Sequence, residues 1–198
     1  MAIYALSIRT AKKHAVAALV LLSFVMTSLP IWLGAQALAA PTPPRPILEC
    51  SDFETLATSP KLAGQVWSDR LAHESLCLYF AAGSLATTDA AKATDLYALA
   101  RIRSQYDFAR CEEWPHGSTS SAMAAMRMTA EGALVQAGVK TMLPQLIAAA
   151  RADETFDYEL EDLEQRCDGG SLKPVSAWKA EQQRIQASAE AASKPSTP

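Results

Sequence analysis

The stretch DAAKATDLYALARIRSQYDFARC, residues 89–111, carries the reading of the fold. Its apolar members Ala93, Leu96, Tyr97, Ala100 and Tyr106 recur with the 3.6-residue rhythm of a one-sided helix, and Thr88 or Asp89 supplies an N-cap. Upstream, Ser59 caps and Pro60 opens a helix expected to run to about Ala82, with Gly83 ending it. That helix carries Leu62, Val66, Trp67, Leu71, Leu78 and Phe80, with Cys77 among them, and a kink is expected near Ser68-Asp69. The connection Ser84-Leu-Ala-Thr-Thr88 is short enough to make the two helices antiparallel neighbours.

The rest of the chain adds helices on both sides of this pair. Ser51-Asp-Phe-Glu54 forms a capping box that opens a short helix stopping at Ser59. Beyond the loop Glu112-Glu-Trp-Pro-His-Gly117, a methionine- and alanine-rich helix spans about 120–137 and is stopped by Gly138. A shorter helix spans about 142–152, with Pro144 tolerable in its first turn. Phe156, Leu160, Leu163 and Cys167 form an amphipathic stripe, and Cys-Asp-Gly-Gly-Ser is a turn. Residues 175–190 are helical with Trp178 and Ile185 as anchors, and the tail 191–198 is expected to be disordered. No segment alternates as a strand does. The expectation is all-α: one compact helical domain, 50–190, of five to seven helices stapled by two disulfides.

Residues 1–39 read as a signal peptide. Arg9, Lys12 and Lys13 are followed by an uncharged run over 15–40, and Ala37-Leu38-Ala39 is a small-residue cleavage site. The rival is an uncleaved membrane anchor, because the run exceeds the ~18 apolar residues that can span a bilayer. Either delivers the domain to the periplasm or the exterior. Residues 40–49 are proline-rich and expected to be an extended linker. Removing 39 of the 198 residues leaves 159, enough for one domain with a real core. Cleavage removes three bases and no acid, so the net charge moves from −3 to −6. Without a basic stripe there is no hold on a phosphate backbone, and nucleic acid is excluded as the expected partner.

Cys50, Cys77, Cys111 and Cys167, all beyond the leader, suggest two structural disulfides. Their gaps of 27, 34 and 56 residues contain no Cys-x-x-Cys and match no zinc module. With ~1.5 Å of rise per residue, a hairpin turning near residue 86 places Cys77 by the turn and Cys111 at the far end. A bridge needs Cα atoms within roughly 7 Å, so the favoured pairing is Cys50–Cys111 with Cys77–Cys167.

Signals for chemistry are sparse, and no catalytic residue, metal ligand or cofactor is assigned. His73-Glu74-Ser-Leu-Cys77 departs from the zinc-protease pattern His-Glu-x-x-His at its last position and reads as an exposed polar pair on a helix. No Gly-x-Ser-x-Gly or Ser-x-x-Lys occurs. Ser118-Thr-Ser-Ser121 reads as loop and helix cap. Arg101, Arg103 and Arg110 read by default as surface residues; Arg103 falls nearly on the apolar side, where it would pair with an acid at the core's rim, and Asp107 one turn away is a local partner. Seven acids and no base lie between Asp153 and Glu164. On a helix, Asp157, Glu161 and Glu164 line up as a solvated acidic face or a docking surface for a basic partner. Trp114, in a loop, suits a core contact or a binding tip.

Asp89-Ala-Ala-Lys92-Ala93-Thr-Asp-Leu96-Tyr97-Ala-Leu-Ala100 resembles the first helix of a Sel1-type or tetratricopeptide repeat. In those repeats such a face packs helix on helix. No second copy stands roughly 34 to 40 residues away, and solenoids need about three repeats. The resemblance implies a packing face and no binding residues.

The function expected is that of an exported non-catalytic helical binding protein: an inhibitor, immunity-type protein or accessory subunit of another envelope or secreted protein. Trp114, Asp157, Glu161 and Glu164 are the candidate partner-binding residues. Alternatives are an envelope hydrolase using His73 or His116 with carboxylates, and a structural spacer.

Overall fold

The computed structural model describes residues 45–46, 50, 52–160, 162–192 and 194, all within one contact unit, 44–198. The expected leader lies outside the described residues. Eight α-helices are present among them, against the five to seven expected: α1 Phe53–Thr58, α2 Pro60–Ser68, α3 Ser75–Leu85, α4 Ala90–Ala109, α5 Ser118–Gln136, α6 Leu143–Arg151, α7 Leu163–Arg166 and α8 Val175–Ala192. The fold is all-α and carries two disulfides. The eighth comes from a break in the expected 60–82 helix.

Local chemistry sets most of the boundaries. Asp52 caps α1, its side chain accepting from Thr55 N at 2.9 Å, one residue after the Ser51 of the expected capping box. Ser51 itself is outside the described residues. Ser59 accepts from Leu62 N ahead of Pro60, and Asp89 accepts from Lys92 N at the start of α4. Gly138 stops the chain after α5 at φ +86°, a conformation that favours glycine. Gly83 does not end α3; its helix continues to Leu85.

α3 is buried on nearly every side and forms the centre of the larger core. Leu78, Tyr79, Ala81, Ala82 and Leu85 meet Leu96, Tyr97 and Ala100 of α4, with Met123, Ala130 and Leu134 of α5 closing the other side. The Tyr79 and Tyr97 rings meet edge to face at 5.9 Å. The Ala93–Ala100 face therefore packs helix on helix, as its repeat-like pattern implies. A second core collects Ile102 and Tyr106 from the distal half of α4, Phe156, Tyr158, Ala150 of α6 and Ile185 of α8.

The disulfides are Cys50–Cys77 and Cys111–Cys167, each with Cα atoms 5.6 Å apart, which corrects the expected pairing. The cause is the break over 69–74, where a 3-10 turn (Arg70–Ala72) and extended His73 and Glu74 interrupt the helix. The open end of the hairpin is therefore Ser75, not Pro60. Ser75 Oγ lies 3.5 Å from Asp107 Oδ2 near the end of α4, so Cys77 sits at the open end and not by the turn. α1 lies on α3, with Phe53 stacked on Phe80 at 4.9 Å, and this carries Cys50 to Cys77.

Two further expectations change. The stripe Phe156–Cys167 is not one helix: a 3-10 turn (Asp153–Thr155), a two-residue strand β2 (Tyr158–Glu159) and α7 replace it. β2 pairs in parallel with β1 (Arg45–Pro46), Arg45 opposite Tyr158. Part of the expected linker is thus docked on the domain. At the other end α8 continues to Ala192, two residues into the expected tail; residues 195–198 lie outside the described residues. Among the described residues no helix is long and apolar enough to cross a membrane.

Candidate functional site

The site begins with charges that the fold has taken inside. Arg103 and Arg110 are each 1% exposed and Asp107 is 2% exposed. A helix surface would leave them in water; here the second core closes over them. Arg103 donates to the carbonyls of Leu71 (2.9 Å), His73 (2.7 Å) and Thr155 (3.1 Å). One guanidinium so ties both non-helical turns to α4, satisfying carbonyls that the broken helix leaves open. The expected Arg103–Asp107 pair is not formed. Asp107 instead accepts from Arg110 at 2.6 Å and from the Tyr158 hydroxyl at 2.5 Å.

Arg110 sits among three aromatic rings. Its guanidinium carbon lies 4.5 Å from the Tyr106 centroid, 5.3 Å from Tyr158 and 5.0 Å from Trp178, each within reach of a cation–π attraction. Backbone pairing sets this up. Lys173 N donates to Arg110 O and Glu112 N to Ser171 O, beside the Cys111–Cys167 bridge, and Trp178 Nε1 then donates to Lys173 O at 2.9 Å. Burial, reinforced by the Asp107 charge, pushes the Tyr158 hydroxyl well above its ordinary pKa, so it stays a neutral donor. Glu74, 7% exposed, pairs with Arg166 of α7. The His73-Glu74 pair is therefore not exposed on a helix, as its sequence suggested, but lies in extended backbone with a buried carboxylate.

Above this cluster opens a cleft of about 500 Å³. Tyr106, Arg110, Phe156, Tyr158 and Trp178 form its floor and inner wall, and Leu160, Leu163 and Leu172 add apolar surface. Asp157, Glu159, Asp162 and Glu164 contribute carboxylates to its lining, and among the described residues Arg110 is the one base there. Such a cleft suits an apolar or aromatic group carried by a cationic segment. Asp157 and Glu164 both line this cleft, although no single helix carries them. Glu161 lies outside the described residues. Trp114 does not join them: it lines a separate depression with Arg101 and Arg127, packs edge-on against Phe108 at 5.4 Å and is 50% exposed.

Sequence reasoning missed the floor of the cleft. Trp178 was legible only as one of two large anchors, with Ile185, on the last helix, and Arg110 had no local signal of burial. Neither His73 nor His116 lines the cleft. His73 approaches the Cys50–Cys77 bridge, a ring nitrogen and both sulfurs lying within 4.8 Å of one another; as a disulfide the sulfurs offer no thiolate to a metal. Burial lowers the His73 pKa. Compared with family models, with curated proteins and with solved structures, the chain shows no match.

Proposed function

We propose that this chain is an exported, non-catalytic binding protein that docks through the Arg110–Trp178 cleft on another envelope or secreted protein. Inhibitor, immunity-type protein and accessory subunit all fit this mode. The observation that carries the reading is the cleft itself: an aromatic floor around a buried, internally paired arginine, beneath four carboxylates. An apolar anchor would bury against Phe156, Leu160 and Trp178, while lysines or arginines beside it meet Asp157, Asp162 and Glu164. Two disulfides suit an oxidising compartment and hold the cleft wall, since Cys111–Cys167 fixes the segment leading to Trp178.

Rim charges act through solvent and are screened beyond ~8 Å at physiological salt, so binding is expected to weaken as salt rises. The test uses the exported protein as bait in envelope extract, followed by affinity measurements on the purified captured partner. The variant Asp157→Asn/Asp162→Asn/Glu164→Gln is expected to bind at least about tenfold more weakly, mainly through slower association. Equal affinity for wild type and variant overturns the reading. Exchanging His73 and His116 for alanine separates this function from a histidine hydrolase, because binding is expected to persist.

A further inference from the structure

We propose that the depression between α4 and α5 is a second binding site, for a small aromatic carboxylate held by Arg101 and Arg127 and stacked on Trp114. It is distinct from the acidic cleft and has the opposite charge.

Arg101 of α4 and Arg127 of α5 line the same hollow of about 210 Å³. Among the described residues neither forms an ion pair, although the protein is acidic. The contrast on α4 is direct: Arg110 holds Asp107 and Arg103 holds three carbonyls, whereas Arg101 holds no acceptor among the described residues. The Nε of Arg127 is covered and has no hydrogen-bond partner, so part of this guanidinium has lost water without replacement. Glu131, one turn along α5, accepts the Tyr97 hydroxyl at 2.8 Å.

Two guanidiniums that line one hollow offer planar forks of the kind that match a carboxylate. Tyr79 also lines the hollow; its hydroxyl shares a hydrogen bond with Ser104 Oγ at 3.2 Å and feels both guanidiniums as well as the Glu131 carboxylate. Trp114 lines the same hollow with half its surface in solvent, one edge of its packing taken by Phe108 at 5.4 Å. The volume is below the ~300–1,000 Å³ of sites for larger ligands, which limits the occupant to about one ring and its carboxylate.

The test is a ¹H–¹⁵N NMR titration of the exported protein, disulfides intact, with benzoate, the neutral isostere benzamide and inorganic phosphate. Benzoate is expected to shift the Trp114 indole signal saturably and to bind at least about tenfold more tightly than benzamide, as befits charge-assisted hydrogen bonds. Arg101→Gln and Arg127→Gln, checked for native amide dispersion, are each expected to weaken benzoate by a similar factor. Trp114→Leu provides an independent variant that leaves both arginines in place and is expected to weaken benzoate but not phosphate. No saturable shift, equal binding of benzoate and benzamide, or unchanged affinity in the arginine variants overturns the proposal. Phosphate binding as tightly as benzoate overturns the aromatic-carboxylate assignment. Asp157→Asn/Asp162→Asn/Glu164→Gln should leave this titration unchanged, so its failure and that of the acidic cleft are separable.

Discussion

Tyr158 donates its hydroxyl to Asp107 at 2.5 Å, although 51 residues separate them. Asp107 in turn neutralises Arg110, buried at the base of the acidic cleft. The two substitutions at this contact should differ in cost. Tyr158→Phe removes one donor and leaves Asp107 paired with Arg110, costing about 1–2 kcal/mol. Asp107→Asn leaves Arg110 buried without its anion, costing about 3–5 kcal/mol. Urea unfolding checks the order; a larger loss for Tyr158→Phe contradicts it.

Non-reducing tryptic mapping should recover the Cys50 peptide joined to that of Cys77, and the Cys111 peptide joined to that of Cys167. The bridges span 27 and 56 residues, so in the chain-entropy model removing the first costs about 3.5 kcal/mol and the second about 4. Loss of Cys111–Cys167 should additionally loosen Trp178, seen as a shift in its fluorescence, whereas loss of Cys50–Cys77 should not.

The α5 N-terminus depends on a distant cap. Asp168, at φ 52°, accepts from Gly117 N at 2.7 Å and Thr119 N at 3.4 Å. A Cβ on Gly117 would come within 2.7–2.8 Å of that carboxyl group. Gly117→Ala should displace the cap and destabilise the domain by about 1–2 kcal/mol, measurable by thermal or urea unfolding. Unchanged stability would show that the cap carries no weight.

His73 should make stability fall on mild acidification. Burial lowers its pKa from the ordinary 6.5, with Arg103 adding to the effect and Asp69 and Glu74 opposing it. The unfolded chain therefore takes up this proton first. The contribution is present above about pH 6.5 and is lost as pH falls from there toward the lower folded value. His73→Gln should flatten the change in unfolding free energy between pH 7.5 and 5.5. Equal slopes for wild type and variant would remove His73 as the cause.

How much of this was legible in the sequence follows from how local each determinant is. Ser59, Pro60, Asp89 and Gly138 act within one turn of their own backbone, and their helix boundaries were readable. The break at 69–74 was readable only as a kink, because what stabilises it is Arg103, about thirty residues away, reaching the Leu71 and His73 carbonyls. Missing it moved the hairpin's open end from Ser75 to Pro60 and with it the disulfide pairing. Likewise the spacing of Phe156, Leu160 and Leu163 is helical, but Tyr158 is drawn inward to Asp107 while Tyr158–Glu159 pairs with Arg45–Pro46. The acids were visible as a cluster; the aromatic floor beneath them comes from residues 106 to 178 and has no local signature.

The most direct test of the docking function is the affinity of the purified envelope partner for wild type and for Asp157→Asn/Asp162→Asn/Glu164→Gln, at low and high salt. A cleft that works through its carboxylates gives at least about tenfold weaker binding in the variant, and a flattened salt dependence. Identical affinities and identical salt slopes for the two proteins would contradict it.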